Sequence, residues 1–336
     1  MRLAVSAVDY HTAGEPFRIV SGGVRPLRGR TILDRRRDAQ EHLDEVRRLL
    51  VHEPRGHADM YGCFVTEPED DGAALGAVFF HNEGFSTACG HGTIALVTWA
   101  LESGLVAGPV DGEAAVAVDV PSGRLDCRAV VEDGRVRSVR FRNVPAFVLA
   151  RGLRVATSRG EVELDVAYGG AFYASLDVRR LGLAVDVASL PALIALQREL
   201  RPAIEAAVSV VHPLEPELAG IYGAVYHQPD VASGDAALVQ RNVTVFADGE
   251  VDRSPCGSGT SARLALLHAA GELRRGETLL HGSIVGSAFR ARVVEETEVA
   301  GRPAVVSEVE GSAHLCGYHH FLLDANDPLG TGFLLR

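Results

Sequence analysis

Two stretches of the chain share one design: AVFFHNEGFSTACGHGTIAL, ending at residue 96, and VTVFADGEVDRSPCGSGTSAR, ending at residue 263. Each runs from an aromatic-rich strand through a glycine and a few polar residues into CGxGT, which opens a helical pattern. Repetition of a strand–turn–helix unit points to a duplicated α/β fold, with the two turns expected to face each other. The two thiols at the turns, Cys89 and Cys256, are then the first candidates for chemistry.

The rest of the chain fits that division. LAVSAVDY and FRIV read as strands flanking the polar turn HTAGEP, and an arginine-rich stretch, RPLRGRTILDRRRD, reads as a solvated loop face. Leu43, Val46, Leu49 and Leu50 fall on one face of a helix expected over about residues 38–52. The second half carries strand-like VELDVAYGGAFYASLDV, a helix at about 188–208, strands IYGAVYH and NVTVFADG, and the helical SARLALLHAAGEL. Alternating segments SIVGSAFRARVVEE, AVVSEVEG and HHFLLD close the chain. Domains are expected over 1–135 with 300–336, and over 136–299.

Composition removes several function classes. At 336 residues the chain exceeds the usual single domain, and its 47% hydrophobic and 23% charged content are ordinary for a soluble globular protein. No apolar run approaches the roughly 20 residues of a membrane span. The N-terminus meets an acidic residue and a proline too early for a signal peptide, so a cytoplasmic location is expected. A net charge of −11 argues against a nucleic-acid surface. All 33 positive side chains are arginine. Without lysine, neither a pyridoxal-phosphate Schiff base nor a P-loop can be built. The five cysteines are too scattered for a disulfide framework, and no CxxC pair suggests structural zinc.

A thiol at a helix N-terminus meets unpaired backbone N–H groups and the positive end of the helix dipole, which favour a thiolate and can hold a carboxylate. Two such turns facing each other suit inversion beside a carboxylate: one group removes the α-proton and the other returns a proton on the opposite face. With no lysine and no metal-ligand spacing, the reaction is expected to need no cofactor, and backbone N–H groups would stabilise the enediolate. His91 and Asp252 could hold the substrate nitrogen or tune the thiols. A covalent thiol hydrolase with Cys89 as nucleophile and His91 as base is a weaker reading, because the spacing is poor and the second CGxGT is left unexplained. A ligand-binding homologue without activity also stays open, and the protection of the thiols by a substrate analogue would distinguish it.

With DYHTAGEPFRIV, HEPRGHADMYG, STACGHGTIAL, VAYGGAFYA, NVTVFADGEVDRSPCGSGTSA and DPLGTGFLL, the chain resembles the proline racemase family over nearly its whole length. The resemblance implies two similar α/β domains of the diaminopimelate epimerase-like fold, with the active site in the interdomain cleft and the chain's end returning to the first domain. It implies Cys89 and Cys256 as the acid/base thiols, and Gly90, His91, Gly257 and Ser258 as the substrate-binding turns. Asp252 would sit near the amino nitrogen, and Tyr61 and Phe246 would wall the pyrrolidine ring. His11, Glu15, Arg55 and His57 are expected to brace that site.

The family includes proline racemases, 4-hydroxyproline 2-epimerases and trans-3-hydroxyproline dehydratases. Cysteine at 256 favours inversion, since the dehydratases usually carry threonine there. GFSTACGHGTIAL, AYGGAFYA, LAGIYG, DPLGTGFLL and Tyr61 lie closer to the dehydratase branch, and ELAGIYG lacks a histidine common in the 4-hydroxyproline epimerases. The expected activity is inversion of proline or a hydroxyproline, with dehydration of trans-3-hydroxy-L-proline as the alternative. The partner implied is that small molecule, with no nucleic acid or membrane; a homodimer is the assembly expected if the chain associates.

Overall fold

The structure, a computed structural model, describes residues 3–231 and 234–335. It divides into two compact units, Met1–Val139 with Ser312–Arg336, and Arg140–Gly311. The first contains β1 (Leu3–Thr12), β2 (Glu15–Gly22), α1 (Ile32–His42), α2 (Asp44–Val51), β3 (Tyr61–Thr66), β4 (Leu75–His81), α3 (Gly90–Glu102), β5 (Gly112–Val120) and β6 (Gly123–Glu132). Strand β7 (Arg135–Arg142) spans the division. The second unit continues with β8 (Ala146–Thr157), β9 (Gly160–Tyr168), β10 (Phe172–Asp177), α4 (Leu190–Ala207), β11 (Ile221–Pro229), β12 (Leu238–Phe246) and β13 (Glu250–Asp252). It then adds α5 (Gly257–Ala269), β14 (Thr278–Gly282), β15 (Ala288–Val299) and β16 (Arg302–Gly311), and β17 (Ala313–Leu323) returns to the first unit.

In the first unit the strands pair in the order β17–β1–β2–β3–β4–β5–β6, with β2–β3 and β4–β5 parallel and the other pairs antiparallel. Helix α3 packs on β1, β2, β3, β6 and β17. In the second unit the pairings return on themselves: β8–β9–β10–β11–β12–β14–β15–β16 and back to β8. Closure removes the sheet edges. Helix α5 touches β8, β9, β10, β15 and β16 around that ring, and every residue from Gly257 to Leu267 is buried. A helix buried on all sides needs apolar or internally satisfied side chains all round. Ser261 complies: it donates to Gly257 O at 3.1 Å and accepts from Ser307 at 2.8 Å.

Three expectations change. The helix expected over 38–52 is two helices broken at Leu43, and it begins earlier, at a capping box in which the Thr31 hydroxyl and the Asp34 carboxylate exchange bonds with each other's backbone N–H. The arginine-rich stretch is therefore not all solvated loop. Arg35 lies on the inner side of α1, buried, donating to the Gly29 and Glu67 carbonyls. The division between units falls at 139/140 and 311/312, not at 135/136 and 299/300. A cut at 299/300 would separate β15 from β16, which pair from Arg290↔Glu310 to Val299↔Arg302.

Candidate active site

Strand β4 is buried along its whole length and feeds the first thiol turn. Cys89 is the N-cap of α3 in an extended conformation, and its Sγ accepts a bond from the Gly92 N–H at 3.3 Å. Gly92 has no room for a side chain, since a Cβ would come within 2.3 Å of Phe17 Cε2 and 2.6 Å of Cys89 Sγ. The His91 ring nitrogens lie 3.5 and 3.6 Å from Cys89 Sγ. The ring stands edge-on to Tyr61 at 5.1 Å and to Phe17 at 5.6 Å. Tyr61 donates to the Ser86 hydroxyl, and Thr12 donates to the His91 carbonyl at 2.9 Å, fixing the turn.

The second turn is built differently. Cys256 caps α5 from the left-handed region, φ 63°, which is costly for a residue with a Cβ. A ladder of side chains holds it there. The Asp252 carboxylate accepts from Ser254 N at 2.8 Å, Ser254 Oγ accepts from Cys256 N at 3.1 Å, and Asn242 donates to the Pro255 carbonyl at 3.1 Å. The thiol donates to the Tyr173 hydroxyl at 3.8 Å, and that hydroxyl is hydrogen-bonded to Ser258 Oγ at 2.7 Å. Phe246, at the end of β12, stacks on Tyr222 at 5.4 Å, and Tyr222 stands edge-on to Tyr173 at 5.8 Å.

The two turns differ in electrostatics as well. Burial pushes the Cys256 thiol up to about 12, and the charge of Asp252 adds to it. The Gly259 N–H and the Tyr173 and Thr244 hydroxyls pull the other way without overcoming burial. The general expectation that a helix N-terminus favours the thiolate therefore fails at Cys256. Burial also raises the Asp252 carboxyl, against the bonds it receives from Ser254 and Cys256. Burial lowers His91 to about 3, so its imidazole is neutral at physiological pH.

Each sequence-selected residue thus has a place. Cys89, Gly90, His91 and Tyr61 gather at the head of α3; Cys256, Gly257, Ser258 and Asp252 gather at the head of α5, with Phe246 in the aromatic group beside them. Arg55 does not join them: it binds the carbonyls of Leu322 and Gly330 and the Asp327 carboxylate, pinning the DPLGTG segment. Glu15 is fully buried on β2, the His11 ring lies tilted against His314 at 5.1 Å, and His57 bonds the Ala58 carbonyl. Phe17, Ser86, Tyr173 and Tyr222 were not singled out from sequence. AYGGAFYA drew notice only as a motif, and nothing local shows that the Tyr173 hydroxyl reaches the start of a helix so far along the chain. Among the described residues, no group of three or more His, Cys, Asp or Glu side chains is placed to hold a metal ion.

The sequence model described as proline racemase matches residues 7–334. A trans-3-hydroxy-L-proline dehydratase of Bacillus cereus is 44% identical over 331 residues, 98% of each chain. A 3-hydroxyproline 2-epimerase of Burkholderia multivorans is 47% identical over 334 residues, 99% of this chain and 98% of that one. Among solved structures, a hydroxyproline epimerase from Agrobacterium vitis with bound trans-4-hydroxy-L-proline superposes with a TM-score of 0.92 at 34% identity, covering 100% of this chain and 97% of the other. The mixed α/β fold of diaminopimelate epimerase-like units expected from the sequence is the fold found.

Proposed function

The chain belongs to the proline racemase family, and we propose that this enzyme inverts the α-carbon of proline or a hydroxyproline, using Cys89 and Cys256 as its acid/base pair. The observation that carries this reading is the pair of buried cysteines, each capping a buried helix that opens with glycine. A threonine at 256 would not return a proton as readily as a thiol does.

The proposed cycle needs one thiolate and one thiol. Burial and Asp252 keep Cys256 protonated, which makes it the proton donor in the resting enzyme. Cys89, whose sulfur accepts the Gly92 N–H at the positive end of α3, is the base. In one turnover the Cα–H bond breaks, the proton passes to Cys89, and its electron pair spreads into the carboxylate as an enediolate. The Cys256 S–H then delivers its proton to the other face of Cα, leaving the charges of the two sulfurs exchanged. The backbone N–H groups at the heads of α3 and α5 supply donors to the substrate carboxylate. Neutral His91 positions the Cys89 sulfur without adding positive charge. The reverse reaction starts from the exchanged state.

Dehydration is the second reading, favoured by the relatives named trans-3-hydroxy-L-proline dehydratase at 44–47% identity. It shares the first step, proton transfer from Cα to Cys89; the 3-hydroxyl then leaves, takes up that proton as water, and the electron pair forms a ring double bond. Proton NMR in D₂O with L-proline, trans-4-hydroxy-L-proline and trans-3-hydroxy-L-proline in separate tubes separates the readings. Deuterium at Cα with appearance of the opposite configuration is expected. Loss of the ring signals of the 3-hydroxy compound alone, with no exchange in the others, would overturn inversion in favour of dehydration.

A further inference from the structure

A polar cavity lies within Arg140–Gly311, about 440 Å³ in volume, and it shares no lining residue with the Cys256 turn. It lies further along the same elements. On β10 the alternation runs from Tyr173, at the thiol, to Ser175; on β11 from Val225, beside Gly259, to His227; on β12 from Thr244 through Asn242 to Gln240. On α5 it is reached at Arg263, about two helical turns or about 10 Å beyond the thiol turn.

Arg263 is 8% exposed, and its Nε donates to Gln240 Oε1 at 3.0 Å. Among the described residues its two outer nitrogens bond to no protein group. Ser175 Oγ and His227 Nδ1, both on buried residues lining the cavity, also lack hydrogen-bond partners there. An orphaned buried hydroxyl, an orphaned ring nitrogen and an open guanidinium fork around one cavity are each unfavourable unless something binds them. The fold does not require the arginine. The corresponding position of the first unit's CGxGT helix is Leu96, fully buried, in the same strand–turn–helix setting.

We infer that this cavity is a binding site for a small zwitterionic amino acid, separate from the thiols, with the ligand carboxylate on Arg263, Ser175 and Gln240 and its ammonium toward Glu272. The planar fork suits a carboxylate, and the bond to Gln240 pre-orients it. Glu163, Asp165, Asp177 and Glu272 line the cavity together with three more arginines, so charge of both signs faces a ligand there, which suits one that carries both; Glu163 is already met by Arg180 at 3.2 Å. Asp177 is already paired with Arg179, and Asp165 accepts the Gly152 N–H at 2.8 Å. Glu272, exposed in the turn that follows α5, accepts no side-chain hydrogen bond among the described residues and is the carboxylate left for the ammonium.

Calorimetric titration with glycine, acetate, methylamine and inorganic phosphate tests the site. Glycine is expected to bind more tightly than the other three. Arg263→Leu, the side chain that the first unit carries, is expected to weaken glycine at least tenfold with an unchanged circular dichroism spectrum. Ser175→Ala and the exposed Glu272→Gln keep the test decisive if Arg263→Leu does not fold. Ser175→Ala should weaken glycine and acetate alike, and Glu272→Gln should weaken glycine severalfold while leaving acetate unchanged. Glycine binding that survives Arg263→Leu, or that neither other variant alters, would place glycine elsewhere and overturn the proposal. So would tighter binding of acetate or phosphate than of glycine.

Discussion

At Cys256 a strained backbone, φ 63°, and a buried sulfur coincide, and both are held by neighbours and not by helix propensity. Tyr173 is the neighbour with the clearest test. Its hydroxyl is among the groups that pull the Cys256 thiol down, and it is hydrogen-bonded to Ser258. Tyr173→Phe is expected to move the pH profile of Cys256 alkylation by iodoacetamide upward and to lower kcat about fivefold, the worth of one neutral hydrogen bond. An unmoved alkylation profile would show that the hydroxyl does not tune the thiol. Cys89→Ser and Cys256→Ser should each lower inversion by about 10²–10⁴-fold, since a hydroxyl neither ionises nor donates in the thiol's range. Racemisation retained in either variant would remove the two-thiol mechanism. Peptide mapping after brief alkylation at pH 8 should find Cys89 modified before Cys256, with exposed Cys316 as an internal control.

Among the elements, α3 and α5 share a glycine three residues after the cysteine, but the two glycines are crowded to different degrees. A Cβ on Gly259 would meet Cys256 Sγ at 3.0 Å and Val225 Cγ2 at 3.1 Å, against 2.3 and 2.6 Å for the nearest atoms at Gly92. Alanine in a helix is normally favourable over glycine by about 0.5–1 kcal/mol. Gly92→Ala should nevertheless destabilise by about 1–3 kcal/mol, because Phe17 and the sulfur cannot both move aside. Gly259→Ala should be close to neutral. Thermal unfolding of the two variants checks the order, and the reverse order would show that the α3 head is not tightly packed. In α1 the Thr31–Asp34 capping box is worth about 1 kcal/mol, and Thr31→Ala should lose that much without touching activity.

Over the whole molecule, buried neutral histidines set the response to acid. His91 and His281 are lowered to about 3, and His227 is lowered well below its ordinary value, all by burial first. The unfolded chain protonates these residues below about pH 6.5, whereas the folded chain keeps His91 and His281 neutral until near pH 3 and resists protonation of His227 well below its ordinary range. Their stabilising effect is therefore complete above about pH 6.5 and is lost as pH falls below it, at about 2 kcal/mol for each of His91 and His281 by pH 5. Asp252, raised by burial, works in the opposite direction. Chemical denaturation at pH 7.5 and pH 5 should show a marked loss of stability at the lower pH, with no comparable loss between pH 8.5 and 7.5. Flat stability down to pH 5 would mean that these histidines are reached by water.

By itself the sequence determined the strand–turn–CGxGT–helix units, the two cysteines, the residues flanking them and the family, because those signals are local: a cap, a glycine and an apolar run within some twenty residues. It could not show that Arg35 turns inward, since burial depends on the Glu67 and Pro68 carbonyls brought to α1 from another segment. The break at Leu43, where φ is −123° between two helical segments, has no glycine or proline beside it to announce it in the sequence. Closure of the second ring joins Ala146 and Phe147 to Val305 and Ala304, a pairing no local window contains. That closure encloses α5, and it is enclosure that turns a helix-capping thiol, expected to ionise, into one held protonated. Tertiary structure decided the protonation states, because desolvation depends on everything that surrounds a group and not on its neighbours in the chain.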